Sequence, residues 1–247
     1  SGAPAYNTLS AQEARLLYDK ASELAQGSPP EPQAVTALKI PGPVSELDAL
    51  MYKPEDSDKL PILVYFHGGG YTIGSLKSHD CVCRTLCVEA HCIVIAVDYR
   101  LAPEHKYPAA VDDSFTAAQW IANNADSLGG DAERIAVGGD SAGGNLAAVV
   151  CIKAREAGAP QLVHQLLIYP GTDMSCSFPS HKTFGQNYRL TNELIDWFYQ
   201  HYFAPDSDIG HWLASPLNAD DLSQLPPAFV LSAGFDPLQD EDKAYAD

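Results

Sequence analysis

From Leu60 onward, short and almost continuously apolar segments alternate with longer stretches that have a helical pattern of apolar residues. A short apolar run of this kind is typical of a strand buried on both faces, as in a parallel sheet. Strands that alternate with helices predict right-handed βαβ crossovers and a doubly wound α/β fold with a mostly parallel sheet. The predicted strands are Leu60–Phe66, Cys92–Asp98, Arg134–Gly139, Val163–Tyr169 and Ala228–Ala233. The predicted helices between them are Asp80–Glu89, Ala109–Ala125 and Ala142–Ala157.

The segment ahead of this alternation predicts one helix and two strands. Ser10 and Glu13 have the spacing of a capping box, which starts a helix directly after Ser10, and Gly27 is a natural stop. Val35–Ile40 and Leu47–Tyr52 have the composition of strands on either side of a Pro-Gly-Pro turn.

The segment Gly171–Leu213 is too long for a simple crossover and is rich in aromatic residues. We interpret it as a helical insertion that packs with the N-terminal helix over the carboxyl ends of the strands, where open α/β sheets bind ligands. The predicted division of the chain is a cap helix in residues 1–30, an α/β core in 31–170, a cap insertion in 171–213 and a continuation of the core in 214–247.

The charge of the chain excludes some classes of binding partner, and its cysteine content indicates the cellular compartment. The chain has 15 basic and 32 acidic residues, a formal net charge of −17, which argues against nucleic acid and anionic membranes as partners. No apolar run approaches the roughly 18–20 residues that a membrane-spanning helix needs. The start, Ser1 to Pro4, lacks the features of a signal peptide, so we expect a cytoplasmic protein unless an upstream piece has been removed. Six cysteines without a CxxC pair predict free thiols in a reducing compartment.

One serine lies in a pattern typical of a catalytic nucleophile. Gly139, Ser141 and Gly143 match G-x-S-x-G, after an apolar strand and before an Ala-rich helix. The glycines relieve crowding at a strained serine backbone, and the start of the following helix directs amide donors toward negative charge. The alternative is a turn of small residues with an incidental serine. The setting favours Ser141 as a nucleophile.

A glycine-rich loop, in which His67 precedes Gly68, Gly69 and Gly70, follows the first parallel strand. Because these residues have no side chains, their amides can turn toward a substrate oxygen, which predicts an oxyanion hole. His67 is a candidate general base, but its place in the loop favours a loop-shaping role. A phosphate-binding loop is disfavoured, because neither a P-loop Lys-Ser/Thr nor the G-x-G-x-x-G spacing is present.

Asp236 comes directly after the last predicted strand and before Pro237, which we expect at the first helical position. Such a carboxylate is either a plain helix N-cap or the acid of a catalytic triad. Its position after Ser141 matches the chain order Ser…Asp…His found with nucleophile elbows. The histidines are scattered without metal-ligand spacing, so no metal site is predicted. A role in complementing the helix dipole is expected for three acidic residues that follow: Asp240, Glu241 and Asp242.

Together these motifs resemble the hormone-sensitive-lipase-like family of α/β-hydrolases, in its bacterial carboxylesterase branch. The resemblance runs from about Leu9 to the last residue. It rests on five segments: 65–70 (YFHGGG), 98–104 (DYRLAPE), 139–145 (GDSAGGN), 167–170 (LIYP) and 236–238 (DPL). The resemblance implies an α/β-hydrolase fold with a helical cap.

The resemblance also implies site residues. Ser141 is the implied nucleophile and Asp236 the implied acid. The implied oxyanion hole consists of the amides of Gly69, Gly70 and Ala142. The motif residues expected to support them are His67, Gly68, Gly139, Asp140 and Gly143. The residues expected in the substrate pocket are Tyr71 and Tyr188. No cofactor is implied, and the expected partner is a small-molecule ester, with a homodimer left open.

The chain departs from the family pattern at one point. In that family the catalytic histidine lies about thirty residues after the aspartate, beyond one more strand. The 247 residues end eleven residues after Asp236. We therefore expect the histidine, the last strand and the closing helix to lie outside them, and the start to lack part of the cap.

Two functions are compatible with this sequence. The first is hydrolysis of short- or medium-chain carboxylic esters by a Ser-His-Asp mechanism. The second is non-catalytic binding of a small ligand on the same fold, as in the plant gibberellin receptors, which resemble this family and have lost the catalytic histidine. The intact Gly70 and Ser141 favour the enzyme.

Overall fold

The computed structural model describes residues 4–247 and places seven strands of this part of the chain in one sheet. Residues Ser1 to Ala3, on which the prediction about a signal peptide partly depends, lie outside the described residues. The strands are β1 (Ala34–Pro41), β2 (Glu46–Lys53), β3 (Leu60–Phe66), β4 (Ile93–Val97), β5 (Gly130–Asp140), β6 (His164–Ile168) and β7 (Ala228–Leu231). Their spatial order is β1-β2-β4-β3-β5-β6-β7.

The neighbouring strands from β4 through β3, β5 and β6 to β7 are parallel. β1 and β2 form an antiparallel hairpin at one edge, and β2 also pairs antiparallel with β4. Phe66 lies opposite Val97 on one side and Gly139 on the other, so β3, β4 and β5 end at the same edge. β5 begins at Gly130, earlier than predicted, because Gly130 already pairs with Leu60. The predicted mostly parallel α/β sheet is confirmed.

Helices cover both faces of the sheet, as a doubly wound fold requires. Side chains of β3 alternate between two apolar cores. Val64 and Phe66 pack in the core that includes the helices at 109–123 and 142–157, whereas Leu63 and Tyr65 pack in the core that includes the helix at 80–90. The helices of residues 4–247 are α1 (Ala11–Ala25), α2 (Asp80–Ala90), α3 (Ala109–Asn123), α4 (Ala142–Ala157), α5 (Pro179–Phe184), α6 (Asn192–Tyr202) and α7 (Gln239–Ala246).

Helix α1 begins where the sequence predicts. The Ser10 hydroxyl accepts a hydrogen bond from the Glu13 amide at 3.3 Å, and the Glu13 carboxylate accepts one from the Ser10 amide at 3.0 Å, which together form the capping box. The Arg15 guanidinium donates to the carbonyls of Thr72 and Ala102 at 2.8 and 2.7 Å. These bonds hold α1 against the loops that follow β3 and β4.

The segment between β6 and β7 contains α5 and α6, and one side chain binds the chain at both ends of the predicted insertion 171–213. Asn145, in the first turn of α4, donates from Nδ2 to the carbonyls of Gly171 and Ala214, at 2.7 Å each. Phe198 of α6 packs with Ala14 of α1. α6 therefore lies beside α1 near the carboxyl edge of the sheet. The domain boundaries given above stay a prediction.

All six cysteines are free thiols, as the sequence predicts. Within residues 4–247 we find no helix that is both long and apolar enough to cross a membrane.

Candidate active site

Ser141 lies at the sharp turn between β5 and α4. Its backbone has φ 53° and ψ −118°, a conformation that a residue with a side chain adopts only where its surroundings enforce it. Gly139 and Gly143 are required by close packing, since a Cβ on either would overlap the carbonyl oxygen of Phe66. The Ser141 amide donates to the Ile168 carbonyl at 2.8 Å, which holds the turn against β6.

The glycine-rich loop after β3 runs beside this turn. Gly69 and Gly70 have φ of 122° and 56°, in the region that favours glycine. The Gly69 carbonyl accepts the amides of Thr72 and Ile73 at 3.1 and 2.9 Å. Within residues 4–247 the amides of Gly69, Gly70 and Ala142 donate no hydrogen bond. These three residues line the cavities that border the turn, so their amides are available to a negatively charged oxygen there.

Asp140 connects the turn to the glycine loop. One of its carboxylate oxygens accepts the Gly68 amide at 3.0 Å and the Tyr65 hydroxyl at 2.8 Å. Nε2 of His79 lies 3.3 Å from both carboxylate oxygens. A Cβ on Gly68 would overlap the carboxylate, which shows how closely the loop approaches it. Because Asp140 directly precedes Ser141, one side chain fixes the loop relative to the serine.

The pKa values of the two histidines near Asp140 shift in opposite directions. Burial lowers the pKa of His79, but the charge of Asp140 and hydrogen bonding more than offset this, so the pKa is raised. Burial and the neighbouring His79 lower the pKa of His67 to about 4. His67 is therefore neutral at pH 7, with Nδ1 2.8 Å from the Gly68 carbonyl oxygen and its ring stacked on Tyr99 at 4.4 Å. This geometry supports a loop-shaping role for His67.

Ser141 lies between two cavities. The smaller has a volume of about 50 Å³, and its lining includes Tyr71 and Met174. The larger has a volume of about 410 Å³, and its lining includes Tyr18 and Tyr169. Aromatic and aliphatic walls with a few polar groups are typical of a small-molecule site.

The two tyrosines predicted for the substrate pocket lie in different places. Tyr71 is buried, lines the smaller cavity and stacks on Tyr202, with ring centroids 3.8 Å apart. Tyr188 is exposed and lines neither of these two cavities. It stacks on Phe235 with centroids 5.4 Å apart, and the next residue, Arg189, lines the larger cavity instead.

Asp236 follows β7 and lines the larger cavity together with Ser141. Its carboxylate accepts the Leu238 amide at 2.9 Å, and burial raises the pKa of this carboxyl above its ordinary value. The prediction that Pro237 begins the last helix is wrong, because α7 begins at Gln239. The intervening residues form a turn, in which the Asp236 carbonyl accepts the Gln239 amide at 3.1 Å.

The structure thus brings the candidate nucleophile, the three amides and the candidate acid to the borders of two adjoining cavities. In the part of the chain that the structure describes, no histidine forms a hydrogen bond with Ser141 or Asp236. His181, whose charge acts on Asp236, pairs with Glu241 at 3.1 Å instead. The described residues leave the base unassigned.

A family model described as alpha/beta hydrolase fold matches residues 63–247. This chain belongs to the α/β-hydrolase family. Among curated proteins, this α/β hydrolase is 48% identical over 219 residues to carboxylic ester hydrolase LipN of Mycobacterium tuberculosis, covering 86% of the chain and 58% of LipN. It is 49% identical over 201 residues to carboxylesterase NlhH of the same species, covering 79% of the chain and 62% of NlhH. The chain therefore spans about six-tenths of the length of these two relatives.

A third relative and two solved structures agree with this assignment. Ethyl acetate hydrolase of Pseudomonas putida is 40% identical over 247 residues, which cover 97% of this chain and 77% of that protein. LAE6, an alpha/beta hydrolase enzyme from the metagenome of Lake Arreo, Spain, has a TM-score of 0.97 at 47% identity, over 100% of this chain and 78% of that one. The Pyrobaculum calidifontis esterase has a TM-score of 0.93 at 44% identity, over 96% of this chain and 79% of that one. The resemblance to hormone-sensitive-lipase-like carboxylesterases is confirmed.

One buried contact of this α/β hydrolase contradicts the sequence prediction. Glu241 does not merely complement the dipole of α7: it is fully buried, and its Oε1 accepts the amides of Thr172 and Asp173 at 2.7 and 3.2 Å. Its Oε2 lies 3.1 Å from Nε2 of His181 in α5. Glu241 therefore links the helix that follows Asp236 to the start of the insertion. The eight residues of α7 are too few to show a buried face in the sequence.

Proposed function

We propose that this α/β hydrolase cleaves small carboxylic esters, with Ser141 as the nucleophile. The observation that carries the proposal is the position of Ser141 at a strained turn beside three amides that have no partner among residues 4–247. A negatively charged transition state needs such fixed donors, and loss of one donor from an oxyanion hole costs about 10²–10³ in kcat. The names of the three curated relatives, all ester hydrolases, support the same activity.

In the proposed mechanism, the Ser141 hydroxyl attacks the carbonyl carbon of the ester while a histidine accepts the hydroxyl proton. The carbonyl oxygen becomes an oxyanion that accepts hydrogen bonds from the amides of Gly69, Gly70 and Ala142. The alcohol then leaves with the proton from the histidine, and the serine carries the acyl group as an ester. Water attacks this acyl-enzyme by the same route, which releases the acid and restores the serine.

Asp236 is the proposed partner of that histidine, whose ring it orients and whose positive charge it stabilises. It borders the same cavity as Ser141, and only one of its oxygens has a partner in the described structure, the Leu238 amide. Because no described histidine contacts either residue, the proposed base is a histidine of the whole protein outside residues 1–247.

Short- and medium-chain esters are the proposed substrates, since they match in size the two cavities of about 50 Å³ and about 410 Å³ beside Ser141. In a series of p-nitrophenyl esters we therefore expect the fastest turnover between butanoyl and octanoyl chains. A cytoplasmic location fits the six free thiols. The homodimer stays a prediction that light scattering of the protein in solution tests.

The decisive experiment is Ser141→Ala in the intact protein, assayed with p-nitrophenyl butyrate. We expect kcat to fall by on the order of a millionfold, because the members of a triad act as a unit, while the circular dichroism stays unchanged. The matched control is Ser127→Ala, which removes an exposed hydroxyl from the loop after α3 and should leave kcat unchanged.

Activity of Ser141→Ala within about tenfold of the wild type would exclude Ser141 as the nucleophile. Labelling with a fluorophosphonate gives a second measurement, since the reagent needs an activated serine. A wild-type protein that binds esters but neither turns them over nor takes up the label would be the non-catalytic binder.

A further inference from the structure

One arginine differs from the others in its surroundings. The chain has six arginines, and five of them are bound to carboxylates or backbone carbonyls. Arg189 has neither a hydrogen bond nor an ion pair with any residue of 4–247. The five bound arginines are Arg15, Arg84, Arg100, Arg134 and Arg155.

This unpaired guanidinium belongs to the larger cavity. Arg189 lies in the loop between α5 and α6, is exposed, and lines the cavity together with Ser141 and Asp236. Its charge acts on two phenols of the cavity wall. Burial raises the pKa of Tyr18 to about 12, and that of Tyr169 is raised as well, while the positive charge of Arg189 opposes both shifts.

The acidic groups that line the same cavity have other partners or roles. Asp140 accepts from the Gly68 amide and the Tyr65 hydroxyl and pairs with His79. Asp236 accepts the Leu238 amide and carries the role proposed above. A cation that has no partner among residues 4–247 therefore lies at a cavity that the net charge of −17 would otherwise make repellent to anions.

The chemistry of this arrangement selects one class of ligand. A guanidinium presents two parallel N–H donors that match a carboxylate, while aromatic and aliphatic walls accommodate the hydrocarbon between the carboxylate and the reacting ester. A single cation near two carboxylates favours a monoanion over a doubly charged phosphate.

We propose that Arg189 is a carboxylate-binding residue of the substrate cavity, which selects esters that carry a free carboxylate at the end remote from the reacting carbonyl. This proposal rests on ester hydrolysis at Ser141, and it names the substrate class of that site. Half-esters of dicarboxylic acids and esters of hydroxy-acids are the two forms that such a substrate takes.

The test uses two matched pairs of esters with the intact protein. Mono-p-nitrophenyl adipate and its methyl ester place the charge on the acyl side, and para-butanoyloxybenzoate and its methyl ester place it on the alcohol side. In at least one of the two pairs, we expect Arg189→Gln to lower kcat/KM of the anionic ester about tenfold. Hydrogen bonds to charged groups are stronger than those between neutral groups. The neutral methyl ester should change less than twofold, and Arg189→Lys should lie between Arg189→Gln and the wild type.

Lys182→Gln is the matched control, because it removes the same charge from an exposed position on the neighbouring helix α5. It should leave both pairs unchanged. The effect of Arg189→Gln should also shrink as salt is added, since the guanidinium is exposed to solvent. Equal losses on charged and neutral esters, or an equal effect of Lys182→Gln, would overturn the proposal.

Binding to Ser141→Ala separates this proposal from the proposed function. Calorimetry should show that Ser141→Ala binds one anionic ester more tightly than its methyl ester, and that adding Arg189→Gln removes the difference. If the wild type hydrolyses none of the four esters but this binding difference is found, the hydrolase proposal fails and the carboxylate site stands. If the binding difference is absent or persists in the double variant, the carboxylate site is disproved whatever the activity.

Discussion

One side of the larger cavity beside Ser141 consists mainly of backbone, and the other side consists of side chains. One side, which we call the floor, consists of residues 67–70 and 139–143. It is made of backbone at positions where a Cβ would overlap a neighbour, and of the carboxylate of Asp140. The other side, which we call the roof, is residues 184–199 of the insertion. It contributes side chains such as Leu190 and Phe198, together with Arg189, a cation that has no partner in the described part of the chain.

This difference indicates that the two sides have separate functions, namely stabilisation of the transition state and selection of the ester. The floor holds amides and the serine in fixed relative positions, a need that is the same for every ester. In the proposed function the roof contacts the parts of a substrate that do not react, so we expect its side chains to decide which ester enters. Changes in the floor should therefore lower kcat for all esters, and changes in the roof should alter KM or act on some esters only.

The largest effect is expected from Gly69→Ala in the floor. Gly69 has φ 122°, and a Cβ there would overlap the Ile73 carbonyl, so the loop must move and its amides with it. We expect kcat to fall about 10²–10³-fold with little change in KM, because a displaced amide matters most when the oxygen is charged. Turnover of several p-nitrophenyl esters measures this.

Gly158→Ala is the control for backbone strain alone. Gly158 also has positive φ, 72°, but nothing lies within 4 Å of its missing Cβ. It should lower the melting temperature slightly and leave kcat unchanged. A rise in KM with kcat preserved in Gly69→Ala would make the loop a substrate-binding surface and would contradict its role as an oxyanion hole.

A smaller effect is expected when Asp140, the positioning residue of the floor, is changed. Asp140→Ala removes the acceptor of the Gly68 amide and should lower kcat about 10–100-fold at nearly constant KM. Asp140→Asn keeps an oxygen that accepts this amide, so it should recover most of the loss. Tyr65→Phe removes only the hydroxyl bond to the same oxygen and should stay close to the wild type. Equal losses in Asp140→Ala and Asp140→Asn would mean that charge, and not loop position, matters.

The floor was predictable from the sequence and the roof was not, for a physical reason. Close packing around Ser141 and a φ of 122° at Gly69 exclude most residue types. These positions therefore require glycine, and the glycines can be recognised in the sequence. The roof segment between α5 and α6 has no periodicity, and its close-packed glycine, Gly185, lies against His181 and Asn192 and lines neither cavity. Its aromatic content predicts a cap, but nothing in the sequence shows that Arg189 lines the cavity while Tyr188 stacks outside it.

The pairing of His79 with Asp140 predicts a stability effect that depends on pH. Burial raises the pKa of Asp140, but His79 and the Tyr65 hydroxyl lower it below its ordinary 3.8 overall, and the pKa of His79 is raised above its ordinary 6.5. The stabilisation by the charged pair is therefore fully present between these two ordinary values. It is lost as the pH rises from 6.5 through the raised pKa of His79.

His79→Gln removes the charge of the pair, so the advantage of the wild type in free energy of unfolding should shrink as the pH rises above 6.5. Urea unfolding of both proteins at several pH values measures this. The folded His67, with a pKa of about 4, is neutral in this range, so its contribution comes from the unfolded chain and is common to both proteins. Parallel curves for the two proteins would show that His79 carries no additional proton in the folded state.

The smallest effect is expected at the mouth of the cavity, where Phe235 contacts the roof. Phe235 is 67% exposed, stacks on Tyr188 at 5.4 Å and meets the ring of Phe184 edge-on at 5.9 Å. Phe235 also lines the larger cavity, and an aromatic contact contributes about 0.5–1.5 kcal/mol, so Phe235→Ala should raise KM for neutral esters about two- to tenfold and leave kcat within twofold. Phe229→Ala is the matched control, since Phe229 is 54% exposed on β7 and lines neither cavity beside Ser141.

Because Phe235 directly precedes Asp236, a tenfold fall in kcat would show that the roof also positions the acid. The division of the site into a floor that sets the rate and a roof that selects the ester would then be wrong at this point.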